Sequence, residues 1–203
     1  MKKTTYVKCI LVATILLNSI IVFAQTFQPW TVRENIEVKG SMLVVGNNII
    51  GLDNLPNNNN SIDNDMVDMQ FIDIDSDAST FNSSSADVVF QPHQDGTPTE
   101  CYQVAYAALY WAAEFKDSDR SNINTVKFKI PGSSTYVDIN GTVIYDAIVN
   151  PIISETNEPG NTPYACYADV TNIVNQLTDI EGTYTVANVN SSEGTNYSTG
   201  LSA

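Results

Sequence analysis

The spacing of apolar and polar side chains along most of this chain is typical of short β-strands. Apolar runs separated by turn-forming residues occupy 26–52, and residues 66–75 interleave apolar side chains with carboxylates and an amide. A period of two places successive side chains on opposite faces of a strand. Further short strands are predicted at 88–90, 124–130, 136–139, 142–149 and 182–189.

The most apolar stretch outside the first 25 residues is 101–115. Its alanines favour helix, whereas its tyrosines and tryptophan suit a strand buried on both faces. We predict a central strand over 103–111 because the neighbouring segments have a β pattern, and a buried helix is the alternative. One short helix is predicted near 169–177, where Asp169 precedes apolar residues spaced by three and four.

Turn and loop chemistry separates these elements. Polar or proline-containing loops are predicted at 53–65, 91–99 and 150–163, residues 76–86 are small and polar, and 164–168 is short and mixed. Asn140-Gly141 is a hairpin signal. Roughly ten short strands with one helix predict an all-β fold, a β-sandwich or jelly roll.

The first 24 residues have the three parts of a secretory signal peptide. Lys2, Lys3 and Lys8 precede an apolar run, and Val22-Phe23-Ala24 offers small residues for cleavage before Gln25. A retained membrane anchor is the alternative, although the run is short for a span of about 20 residues. We therefore expect a secreted or cell-surface protein with no membrane span in the mature chain, residues 25–203.

The chain is strongly acidic. It has 9 basic and 23 acidic residues, a net charge of −14, and removal of the three N-terminal lysines gives 6 − 23 = −17. Such a field repels phosphate, so we expect no nucleic-acid partner.

Cleavage would remove Cys9 and leave Cys101 and Cys166. An oxidising compartment permits one disulfide between them, closing a loop of about 65 residues and contributing roughly 3–4 kcal/mol in the chain-entropy model. Two separate buried thiols are the alternative.

The densest group of oxygen ligands is Asp73, Asp75 and Asp77, followed by Ser79, Thr80 and Asn82. Carboxylates at this spacing suit a hard cation, and calcium is the cofactor they predict. The match to an EF-hand fails because Ala78 stands at the turn-glycine position and Ser84 at the closing-glutamate position. The alternative is a strand with a solvated acidic face.

Candidate catalytic residues are few. His93, the single histidine, lies in a polar loop, and no Gly-x-Ser-x-Gly motif is present. We therefore predict no catalytic residue. The aromatic residues of the apolar stretch suit either a core or a platform for sugars, and these are Tyr102, Tyr106, Tyr110 and Trp111. Solvation accounts for the acidic turn containing Glu114, Asp117 and Asp119.

Several phrases in order along the chain resemble the N-terminal region of large exported surface proteins of Bacteroidota. They are Lys39-Gly40-Ser41-Met42 with Val45-Gly46-Asn47, residues 73–86, Ala108-Leu109-Tyr110-Trp111, residues 126–132, Tyr167-Ala168-Asp169-Val170-Thr171, and residues 182–189. The resemblance covers nearly all of the mature chain.

This resemblance implies a non-enzymatic, adhesin-like module. In such proteins repeated β-sandwich domains follow this region, and a C-terminal signal for type IX secretion, linked to gliding motility, often comes last. We therefore expect truncation within or just after the first domain, with further domains downstream. The expected partner is an extracellular glycan or protein. A carbohydrate-binding module or a glycan-acting secreted enzyme is the alternative.

Overall fold

The computed structural model describes residues 32, 34–38, 40, 42–52, 68–90, 103–117, 119–149 and 162–194. The predicted signal peptide lies outside these residues. In chain order, the described elements are β1 (Ile50–Gly51), β2 (Gln70–Phe71), β3 (Ser83–Val88), β4 (Ala108–Glu114), β5 (Thr125–Lys129), β6 (Val137–Asn140), β7 (Thr142–Asp146), β8 (Pro163–Asp169), α1 (Thr171–Val174) and β9 (Gly182–Ala187). All belong to the unit Ile36–Ala203.

The strands form three antiparallel sheets. One has the order β3-β9-β5-β6, the second has the order β4-β8-β7, and β1 pairs with β2. The prediction of an all-β fold with one short helix is confirmed. No helix among the described residues is long and apolar enough to cross a membrane.

A single buried cluster draws side chains from both larger sheets. Val126 and Phe128 of β5 alternate with half-buried lysines, and Tyr164 and Cys166 of β8 alternate with outward-facing neighbours. Trp111 of β4 donates its indole N–H to the carbonyl of Ile123 at 2.9 Å. This shared core is consistent with the predicted sandwich.

The choice of strand over helix for the apolar stretch is confirmed, but the strand lies further along the chain, at Ala108–Glu114 instead of 103–111. The predicted helix is shorter than 169–177, because α1 covers only Thr171–Val174. Asp169 still accepts a hydrogen bond from the backbone N–H of Thr171 at 2.8 Å.

Two expectations between residues 66 and 90 are wrong. Of the strand predicted over 66–75, the structure forms only β2 within the described part, and the chain bends after Ile72. The small polar stretch 76–86 instead enters β3, which ends at Val88 and does not continue to residue 90. This serine-rich strand has no alternation of apolar side chains. It is stabilised instead by backbone hydrogen bonds to β9, which any sequence can form.

The hairpin predicted at Asn140-Gly141 is also wrong. β6 belongs to the four-stranded sheet and β7 to the three-stranded sheet, so the chain crosses between sheets here. Gly141 is needed for close approach: a Cβ at this position would lie 2.6 Å from the carbonyl oxygen of Tyr167 and 3.0 Å from Trp111 Cζ2.

Candidate functional site

The outer face of the three-stranded sheet carries a group of tyrosines. Tyr110 of β4 lies directly opposite Tyr167 of β8, with ring centroids 5.2 Å apart and planes tilted by 45°. The hydroxyls of Tyr106 and Tyr167 are 2.7 Å apart and hydrogen-bonded. Tyr145 of β7 pairs with Ala165, which shares the outer face with Tyr167. We call Tyr106, Tyr110, Tyr145 and Tyr167 the tyrosine face.

Strand alternation separates the two aromatic neighbours of β4. Tyr110 is 57% exposed, whereas Trp111 is 6% exposed and lies in the core opposite Cys166. Trp111 is therefore a core residue, whereas Tyr110 faces solvent, and the sugar platform stays a prediction. Tyr102 lies outside the described residues.

Small side chains lie next to the tilted pair of rings, Tyr110 and Tyr167. Ala112 of β4 pairs with Ala165 of β8. Each alanine is two residues along its strand from Tyr110 or Tyr167 and therefore lies on the same outer face. Because an alanine projects little above a sheet, the exposed ring of Tyr110 borders a shallow floor.

Within the tyrosine face, Tyr106 keeps its phenol neutral at physiological pH. Burial, followed by the hydrogen bond to Tyr167, raises the pKa of Tyr106. At the edge of this face, hydrogen bonds from Thr171 lower the pKa of Asp169, so that exposed carboxylate stays ionised. Aromatic faces, hydroxyls and one carboxylate can hold a ligand through stacking and hydrogen bonds.

The three aspartates of the predicted calcium site accept hydrogen bonds from nearby backbone N–H groups. Oδ1 of Asp73 accepts from the N–H of Asp75 at 3.4 Å, Oδ1 of Asp75 from that of Asp77 at 3.0 Å, and Oδ1 of Asp77 from that of Ser79 at 2.9 Å. These are successive Asx turns. Across the described residues, no three His, Cys, Asp or Glu side chains are grouped to hold a metal ion.

Further hydrogen bonds tie this loop to β3 and to the segment before β6. The hydroxyl of Ser83 donates to Asp73 at 2.8 Å, and the hydroxyl of Tyr136 donates to Asp75. Although burial acts to raise the pKa of Asp75, the hydrogen bond from Tyr136 and those from neighbouring groups leave it lowered. The loop is therefore anionic, and calcium binding there stays a prediction.

The thiol of Cys166 is free and fully buried, and it contacts the carbonyl oxygen of Ile123 at 3.4 Å. Burial raises its pKa to about 12. Cys101 lies outside the described residues, and the disulfide between the two stays a prediction.

Sequence reasoning missed a buried polar network at the opposite end of β4. Arg120 pairs with Asp146, with Nη2–Oδ1 at 2.9 Å and Nε–Oδ2 at 3.3 Å, and also donates to the carbonyl of Thr162 at 3.0 Å. Glu114 was expected in solvent, but it is buried and accepts from the N–H of Thr162. Burial raises the pKa of Glu114.

No local pattern marks this network, because its members come from distant parts of the chain. Asp117 and Asp119 are exposed, as expected of a solvated turn. His93 lies outside the described residues.

No protein-family model, curated protein or solved structure matches the chain.

Proposed function

We propose that this chain is a non-enzymatic binding module in the N-terminal region of a large exported surface protein, acting in adhesion or surface display. Its signal-peptide-like residues 1–24, its acidic composition and the resemblance to bacterial surface proteins support export. The tyrosine face is the observation that carries the binding role, because it presents an exposed aromatic ring on a rigid sheet.

The chemistry of this face favours holding a ligand. The tyrosine rings contribute stacking surface and their hydroxyls contribute hydrogen-bond donors, and Tyr106 is oriented by its hydrogen bond to Tyr167. Such side chains lose little conformational entropy on binding, because tyrosine has only two rotatable side-chain bonds.

A carbohydrate ligand is the second candidate. The floor of Ala112 and Ala165 beside Tyr110 suits the apolar face of a sugar ring, whose hydroxyls then meet the tyrosine hydroxyls. A glycan-acting enzyme is the variant of this candidate, although the buried carboxylates Glu114 and Asp146 lie at the other end of β4 from the tyrosine face. A peptide ligand would use the same rings for contact with apolar side chains.

An array of immobilised oligosaccharides and extracellular-matrix proteins tests the proposal. We expect saturable binding to at least one surface by the exported chain, with the bound molecule recovered intact. Saturable conversion of any of the oligosaccharides, detected as new reducing ends, would contradict the non-enzymatic role and favour the glycan-acting enzyme.

A further inference from the structure

An exposed carboxylate shares the outer face of the three-stranded sheet with the tyrosine rings. Asp169 and Tyr167 are two residues apart in β8, so their side chains project from the same side of that strand. Tyr110 pairs with Tyr167, and Ala108 pairs with Asp169, which makes Tyr110 and Asp169 diagonal neighbours across the two strands. Diagonal neighbours lie roughly 7–8 Å apart, which is within reach of aromatic and long side chains.

The tyrosine hydroxyls and this carboxylate lie close enough to affect one another. Burial and the hydrogen bond to Tyr167 raise the pKa of Tyr106, and the nearby Tyr110 and Asp169 raise it further. Hydrogen bonds from Thr171 lower the pKa of Asp169, which therefore keeps its charge at neutral pH. The faces of aromatic rings carry partial negative charge, so the rings and the carboxylate together favour a positively charged ligand.

No basic side chain among the described residues neutralises Asp169. The two ion pairs that these residues form lie elsewhere and are Arg120–Asp146 and Lys127–Asp138. The net charge of −14 attracts a positively charged partner to the surface as a whole. Asp169 and the ring beside it give such a partner one defined place to bind.

We propose that the tyrosine face binds an arginine side chain from a basic segment of a partner protein. The planar guanidinium stacks on the ring of Tyr110 and donates a hydrogen bond to the carboxylate of Asp169. Arginine suits both contacts, because its guanidinium stacks on aromatic rings and matches the geometry of a carboxylate. This inference rests on the proposed binding role of the tyrosine face and adds the chemical class of the partner.

Fluorescence anisotropy of a labelled peptide of alternating arginine and glycine tests the proposal. The matched probe replaces each arginine by citrulline, which has nearly the same shape and no charge. We expect the exported chain to bind the arginine peptide saturably at about 0.15 M salt, where charges on the surface are screened beyond roughly 8 Å. The citrulline peptide should bind at least tenfold more weakly. Equal binding of the two peptides, or binding of neither, would overturn the proposal.

Asp169→Asn separates this contact from a general attraction to an acidic chain. The variant keeps an oxygen for the N–H of Thr171 but removes the charge, and it should weaken binding of the arginine peptide by roughly threefold or more. Asp119→Asn is the matched control, because Asp119 accepts from the N–H of Ser121 in the same way and follows the other end of β4. Its affinity should be nearly unchanged, and equal losses in the two variants would overturn the proposal.

Variants of Tyr110 test the stacking and separate this inference from the proposed function. Tyr110→Phe keeps the ring and should keep the affinity for the arginine peptide, whereas Tyr110→Leu should weaken it roughly threefold. An unchanged affinity in Tyr110→Leu would overturn the stacking contact. If Tyr110→Ala abolishes binding to an array surface but the arginine peptide does not bind, the cationic partner is wrong and the binding role stands. Failure of both tests would contradict the proposed function as well.

Discussion

Arg120 and Asp146, 26 residues apart in the sequence, form a two-point ion pair inside the protein, with Nη2–Oδ1 at 2.9 Å and Nε–Oδ2 at 3.3 Å. The guanidinium also lies over the ring of Tyr164, 5.5 Å from its centroid. This pair joins the turn after β4 to the end of β7 and connects both to the start of β8 through Thr162.

Arg120→Met is expected to destabilise the fold by about 3–5 kcal/mol, because it leaves the buried carboxylate of Asp146 without its cation. Chemical denaturation measures this as a lower midpoint. The pair Lys127–Asp138 on the surface is the control, and Lys127→Met should cost at most about 1 kcal/mol. Equal losses in the two variants would contradict the structural role of Arg120.

Gly141→Ala tests the crossing between the two sheets. The added methyl group would meet the backbone of Tyr167 and the ring of Trp111, and overpacking of this kind costs typically about 1–3 kcal/mol. Gly46→Ala is the matched control, because a Cβ there has no neighbour within 4 Å. The midpoint of thermal unfolding should fall in Gly141→Ala and stay unchanged in Gly46→Ala. An unchanged midpoint in Gly141→Ala would contradict the close approach of Gly141 to Tyr167 and Trp111.

The pH dependence of stability tests the burial of Glu114. Since burial raises the pKa of Glu114 in the folded state above the ordinary value for a glutamate, the folded state binds this proton more tightly than the unfolded state does. The contribution of Glu114 to the stability of the fold is therefore present below its unfolded-state pKa and is lost as pH rises through its folded-state pKa. Glu114→Gln should be more stable than the wild type at neutral pH, with the difference shrinking below about pH 4. A Glu114→Gln variant that is less stable than the wild type at neutral pH would contradict the unfavourable burial of the Glu114 carboxylate.

Thermal melts with and without millimolar calcium test the predicted metal. If Asp73, Asp75 and Asp77 bind calcium, the midpoint rises with calcium, because a ligand that binds only the folded state stabilises it. Asp77→Asn keeps an oxygen for the turn to Ser79 but removes the charge. It should reduce the calcium shift and leave the metal-free melt nearly unchanged. Equal midpoints in the wild type would remove calcium from the account.

Side-chain patterning predicted β5, β6, β7 and β9, whereas the strand-like pattern over 26–52 forms only the two-residue β1 among the described residues. Val126 and Phe128 alternate with Lys127 and Lys129, and that pattern located β5 to within a residue at either end. β3 was missed because Ser83 and Ser84 are buried through backbone pairing, for which composition gives no signal.

The candidate site was only partly predictable for a related reason. Tyr110 and Trp111 are neighbours in β4, so one of them must face the core and the other solvent. A continuous apolar run does not show which of the two faces which side. Tyr145 and Tyr167 enter the site through cross-strand pairing, which links residues far apart in the chain. The Arg120–Asp146 pair was missed because no local spacing marks it.

The most direct test of the central claim measures the dissociation constant of the exported chain on the array surface that it binds. Tyr110→Ala should weaken binding at least tenfold, because Tyr110 presents the most exposed ring of the tyrosine face, whereas Phe81→Ala removes an exposed ring elsewhere and should have no effect. Equal dissociation constants for the wild type and Tyr110→Ala would contradict a binding role for the tyrosine face.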